Sequence, residues 1–235
     1  MKSIISSQYI CKIAFIAFSM ISLCHITSSS AAGVALGSTR MIYPLGEKQA
    51  SINVTNSDTN ESFLVQSWVS DIKGEKTAAF VVTPPLFVLK PGKMNILRVM
   101  YVGPALPEDK ESVFYLNNKA IPSVDKQTVV GNNLQIATQS VIKLFVRPNH
   151  LNVKPSDAPA MLTCRAKGDS LVVSNPSPYY VTLVNFIVAG KKRPNTMVPP
   201  MGSQTVDAPG AANGTISYQT LNDFGAFTPA LACKA

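Results

Sequence analysis

Residues Asn132–Pro148 read NNLQIATQSVIKLFVRP. As one β-strand this stretch exceeds the usual limit of about ten residues. Side chains alternate across a strand, so Leu134, Ile136 and Thr138 share one face while Gln135, Ala137 and Gln139 take the other. From Ile142 to Val146 the apolar character becomes continuous, broken only by Lys143, and the run stops at Arg147-Pro148. The pattern predicts a strand with two environments, an exposed edge first and a buried half after it. Exposed apolar edges invite aggregation and are usually blunted; this one is left open. The same alternation also suits an ordinary interior strand with polar residues facing solvent.

Short runs rich in Val, Ile, Phe and Thr surround that stretch, separated by Pro, Gly, Asn and Asp. ASINVTNS, SFLVQSWVSD, FVVTPPLFVLKPG, MNILRVMYVG and SVFYLNNKAIP precede it, with turns at Asn56–Asn60 and Lys90–Lys93. After Pro148 the segment NHLNVKPSDAPA reads as a polar, proline-bearing linker. SLVVSNPS, YVTLVNFIVAG, SQTVDAPG, GTISYQT and LACKA then supply a second, smaller strand set. The expectation is an all-β chain of two immunoglobulin-like sandwiches, residues 33–150 and 154–235. Sequons at Asn53, Asn60 and Asn213 fall where asparagine is common in turns.

The chain has 235 residues. Lys2 and Lys12, the apolar run Ile13–Leu23 and the small residues Ser30, Ala31 and Ala32 read as an export signal cleaved from residues 1–32. That run is too short for a span of about 20 residues, so stable membrane insertion is not expected. Removing it leaves 19 basic against 13 acidic residues, a modest and scattered excess without a Lys/Arg tract. Nucleic acid is not an expected partner.

Cys164 and Cys233 remain after removal of the signal, an even number in an oxidising compartment, which implies a disulfide rather than two buried thiols. His150 is the one histidine left, in a turn-like segment with no nucleophile motif nearby. Multi-histidine metal sites are excluded, and no Walker loop, GxGxxG or HExxH occurs. The chain is read as a non-enzyme that needs no cofactor.

GVALGSTRMIY, TPPLFVLKPG, LPEDKESVFYLNNKAIP, NNLQIATQSVIKLFVRP and NDFGAF occur in that order. Together they resemble the periplasmic pilus chaperones of the PapD type over essentially the whole mature chain. The short block Pro122–Leu134 and the lack of cysteine in the first domain resemble that family's short-loop branch. Asn118 stands where the family usually has an apolar residue.

The resemblance implies two sandwiches in an L or boomerang shape, in the periplasm, with pilus subunits and an outer-membrane usher as partners. Pilus subunits in this family are sandwiches missing their last strand, which the chaperone supplies until the usher passes the subunit on. Leu134, Ile136 and Thr138 would then form the donated edge, although Thr138 sits where a third large apolar residue is common. Arg40 and Lys143 match the pair that holds the subunit's C-terminal carboxylate, and Glu111, Arg147 and Asp223 match an interdomain charge network. Two rival classes remain for composition alone. One is an exported adhesin-type carbohydrate-binding module, which would want aromatic platforms, whereas the sole tryptophan, Trp68, is expected in the core. The other is a hydrolase, against which the missing histidines and nucleophile motif argue.

Overall fold

The computed structural model describes residues 33–123, 134–212 and 214–234. The export signal at 1–32, the start of the long stretch at Asn132 and Asn133, most of the block before Leu134 and the sequon at Asn213 lie outside the described residues.

Among the described residues nine strands build the first sandwich: β1 (Val34–Leu36), β2 (Arg40–Pro44), β3 (Ala50–Asn56), β4 (Phe63–Ser70), β5 (Phe80–Thr83), β6 (Leu86–Leu89), β7 (Met94–Tyr101), β8 (Ser112–Pro122) and β9 (Thr138–Arg147). They form a four-stranded sheet, β1-β3-β7-β5, facing a five-stranded sheet, β2-β9-β8-β4-β6. The chain crosses between the two sheets at each connection from β1 to β8, and two of these crossings are very short. Gly37 lies between β1 and β2, against Asn53, and the Pro84-Pro85 pair lies between β5 and β6. Proline removes a ladder donor and glycine permits close backbone approach, so both residues suit the crossing points.

Alternation fixes the inner faces. Phe63, Val65 and Val69 on β4, Leu97 and Val99 on β7, and Ile142, Leu144 and Val146 on β9 point into one buried cluster. Each such side chain contributes about 1.5–3 kcal/mol relative to exposure. Ser67 and Asn118 share that inner face, and the Ser67 hydroxyl donates to Asn118 Oδ1 at 2.9 Å, satisfying part of a polar pair inside an apolar layer. Trp68 departs from expectation. It is opposite Asn117 on the outer face of the sheet and half-buried, because its strand neighbours Ser67 and Val69 take the inward positions.

The second sandwich contains β10 (Thr163–Lys167), β11 (Ser170–Asn175), β12 (Val181–Val188), β13 (Lys191–Lys192), β14 (Thr196–Val198), β15 (Gly202–Asp207), β16 (Ile216–Thr220) and β17 (Leu231–Ala232). One sheet runs β10-β11-β15; the other runs β13-β12-β16-β17, with β14 also on β12. Cys164 on β10 and Cys233 after β17 are disulfide-bonded across the two sheets, with Cα atoms 5.8 Å apart. The segment read as a linker is partly docked: Ala158 and Pro159 are buried in a short 3₁₀ turn, and Leu151 and Val153 pack on the second core. Its backbone carbonyls explain the docking, since Tyr179 and Tyr218 donate their hydroxyls to Val153 and Pro159 at 2.5 and 2.7 Å.

Candidate functional site

The long stretch divides at Thr138. Strand β9 begins there, whereas Leu134–Ala137 lie outside any strand and present Leu134 and Ile136 to solvent, 87% and 65% exposed. Pro122 accounts for the break. Ser123 donates its N–H to Ser62 across β4, so position 122, by alternation, faces β9. The register Ala120↔Thr138 would bring Ile136 opposite Pro122, which has no N–H to give. The Pro122 carbonyl instead accepts from the Gln135 side chain at 2.5 Å.

β9 is antiparallel to β8 along its whole length, from Ala120↔Thr138 to Ser112↔Val146. On its other side β2 runs parallel, from Arg40↔Lys143 to Pro44↔Arg147. Between Thr138 and Ile142 that second edge has no partner strand among the described residues. Leu45 N–H donates to the Arg147 carbonyl, so odd-numbered residues of β9 face β2, and Gln139 and Val141 turn their N–H and C=O groups to the open edge. The Asn117 and Gln139 side chains, bonded at 3.0 Å, brace the start of this edge against β8.

The open edge ends at two cations. Arg40 and Lys143 are directly opposite one another where β2 begins. Arg40 is 8% exposed; its Nη1 donates to the Leu221 carbonyl at 3.2 Å, and its Nε has no partner among the described residues. Lys143 Nζ donates to Thr182 Oγ1 at 3.1 Å. Burial, and then the neighbouring Arg40 charge, lower the Lys143 pKa to about 8. Burial also lowers that of Arg40, which Asp223 and Glu111 partly oppose. Two desolvated cations side by side, one with an unused N–H, favour an anion.

Glu111, Arg147 and Asp223 come together beside this pair. Arg147 Nε donates to Glu111 Oε1, and its two terminal nitrogens bind Asp223 bidentately, all at 2.7 Å. Tyr180 N–H donates to Glu111 Oε2 at 2.8 Å, and Arg147 stacks on the Tyr179 ring, 5.0 Å from its centroid. Burial disfavours the Arg147 charge, but bonds to Asp223 and Glu111 more than offset it and raise its pKa. For Glu111 the balance goes the other way, and burial holds its carboxyl above the usual range despite Arg147. The network joins the residue preceding β8, the end of β9 and the β16–β17 loop, so it ties the two sandwiches at the site.

These residues line a cleft of about 530 Å³ containing Arg40, Glu111, Phe145, Arg147, Tyr180 and Asp223. Leu134, Ile136 and Thr138 are elsewhere, along the edge that leads away from it. Thr182, the Leu221 carbonyl and the Tyr180 N–H were not legible in the sequence, because each depends on how the second sandwich docks.

Two family models match the chain: Pili and flagellar-assembly chaperone, PapD N-terminal domain, over residues 33–152, and Pili assembly chaperone PapD, C-terminal domain, over residues 157–231. The chain is 46% identical to chaperone protein FimC of Escherichia coli K12 over 205 residues, covering 87% of this chain and 85% of that one. It is 47% identical to chaperone protein FocC of Escherichia coli over 201 residues, 85% and 88% of the two chains. Among solved structures it is similar to the periplasmic chaperone SfaE, with TM-score 0.77 and 43% identity over 86% of this chain and 100% of that one. It is also similar to the Salmonella enterica SafA pilin in complex with the SafB chaperone, with TM-score 0.79 and 31% identity over 88% and 99%. These similarities support a chaperone over an adhesin-type module, and no helix among the described residues is long and apolar enough to cross a membrane. An all-β chain of two PapD-like domains with a charged cleft and an open edge, it belongs to the family of periplasmic pilus-assembly chaperones.

Proposed function

We propose that this chain, exported by a signal cleaved from residues 1–32, captures pilus subunits by donating the β9 edge and delivers them to an outer-membrane usher. It acts by binding, without a catalytic step. The observation that carries this reading is the end of the open edge at Arg40 and Lys143. A strand added between Thr138 and Ile142 lies in line with β2. If its C-terminal carboxylate meets the two cations, its chain runs parallel to β9, entering as β2 leaves. Main-chain bonds to Gln139 and Val141 would supply affinity, and Leu134, Ile136 and Thr138 would face the subunit's groove. Each charge-assisted bond to the carboxylate contributes about 1.5–3 kcal/mol and fixes register, which an edge alone does weakly. The Glu111–Arg147–Asp223 network holds the two halves of the carboxylate site in place.

The test is capture of pilus subunits from periplasm by the wild-type chain and by Arg40→Ala and Lys143→Ala. Subunit retained by wild type and lost by both folded variants is expected. Equal capture by all three would remove the carboxylate anchor, and no capture by any would remove the subunit-binding reading.

A further inference from the structure

The loop Leu221–Thr228 reads LNDFGAFT, and its first half is held by several contacts. Asn222 Oδ1 accepts the N–H groups of Phe224 and Ala226 at 3.0 and 2.9 Å. Asp223, its sole charged residue, is bound by Arg147. Gly225 has φ +82° and packs so closely on Thr39 of the first sandwich that a Cβ there would collide with the Thr39 hydroxyl. The Leu221 carbonyl holds Arg40.

This braced loop nevertheless presents Phe224 at 89% exposure, the highest of any large apolar side chain among the described residues, and Phe227 at 64%. Phe224 is one of the residues that line the cleft, as are Arg40 and Phe145. A rigidly held aromatic loses little conformational freedom on contact, and exposed aromatic anchors of this kind carry interface energy. Its position selects the occupant. Thr39 immediately precedes Arg40, so a guest strand whose end reaches Arg40 in line with β2 would end beside the Thr39–Gly225 contact. No charge on the loop is left free to oppose an apolar neighbour.

We propose that Phe224 and Phe227 form a second contact surface for the pilus subunit, packing on apolar side chains beside its C-terminal end. The inference rests on the subunit-binding reading above. The experiment compares dissociation of a co-purified pilus subunit from the wild-type chain and from a Phe224→Ser/Phe227→Ser double variant, with subunit capture by Lys143→Ala measured alongside. Thermal melting of each free protein serves as a folding control. The expected result is at least about tenfold faster dissociation from the double variant with an unchanged melting temperature. Dissociation within about twofold of wild type, while Lys143→Ala still loses the subunit, would overturn the loop contact and leave the reading intact. Normal subunit retention with failed transfer to the usher would assign the surface to the usher and overturn it. So would a dimer of the free chain that only the double variant abolishes, with dissociation unchanged. Absence of a complex with wild type would overturn the reading and the loop contact together.

Discussion

Raising the pH from 7 to 9 should weaken subunit binding through Lys143. Its pKa in the free chain is about 8, held down by burial and by Arg40. About a tenth of the molecules therefore have a neutral Lys143 at pH 7, and about nine-tenths at pH 9. A bound carboxylate favours the charged amine and raises its pKa, so above pH 8 binding must take up a proton. If only the charged amine binds, Kd rises about tenfold between pH 7 and 9, close to 1.4 kcal/mol. Folding stability moves the opposite way. Lys143 has a lower pKa folded than its ordinary 10.5, so the unfolded chain holds the proton more tightly. Its contribution to stability rises between pH 8 and 10.5, so Lys143 itself does not promote unfolding where binding weakens. The assay is Kd against pH for wild type and Lys143→Arg, whose guanidinium stays charged. A flat wild-type profile, or an equal slope in Lys143→Arg, would refute the argument.

Arg147→Ala should cost about 3–5 kcal/mol in denaturant unfolding, because it leaves the buried Glu111 carboxylate without its cation; a loss under about 1 kcal/mol would show that the network is not stabilising. Cys164→Ser/Cys233→Ser should lower stability by about 4 kcal/mol, as expected for a cross-link between residues 69 apart, and unfolding with and without reductant checks it. Ile136→Asp should leave the melting temperature nearly unchanged, since Ile136 is 65% exposed, yet weaken subunit capture at least about tenfold. Retained capture would mean that Ile136 does not enter the subunit.

Much of the sandwich was legible because breakers and alternation are local. The runs ending at Asn56, at Lys90–Lys93 and at Arg147-Pro148 mark real strand ends. What the residues did not disclose is pairing at a distance. The boundary inside NNLQIATQSVIKLFVRP depends on Pro122, a residue on another strand, and the face taken by Trp68 depends on which neighbours β4 turns inward. Polar composition hid the docking of Leu151, Val153 and Ala158 on the second core, where tyrosines far along the chain bind the Val153 and Pro159 carbonyls. At the site, Arg40, Lys143, Glu111, Arg147 and Asp223 were named through family resemblance, since scattered charges have no spacing that announces a cleft. Thr182 and the Phe224 loop needed the docked second sandwich.

The most direct measurement is amide hydrogen exchange along Ile136–Lys143 in the free chain and in its complex with a pilus subunit. The account predicts new protection at Gln139 and Val141, whose N–H groups face the open edge, with little change at Ser140 and Ile142, already bonded to β8. A stable complex in which Gln139 and Val141 exchange as fast as in the free chain would contradict it.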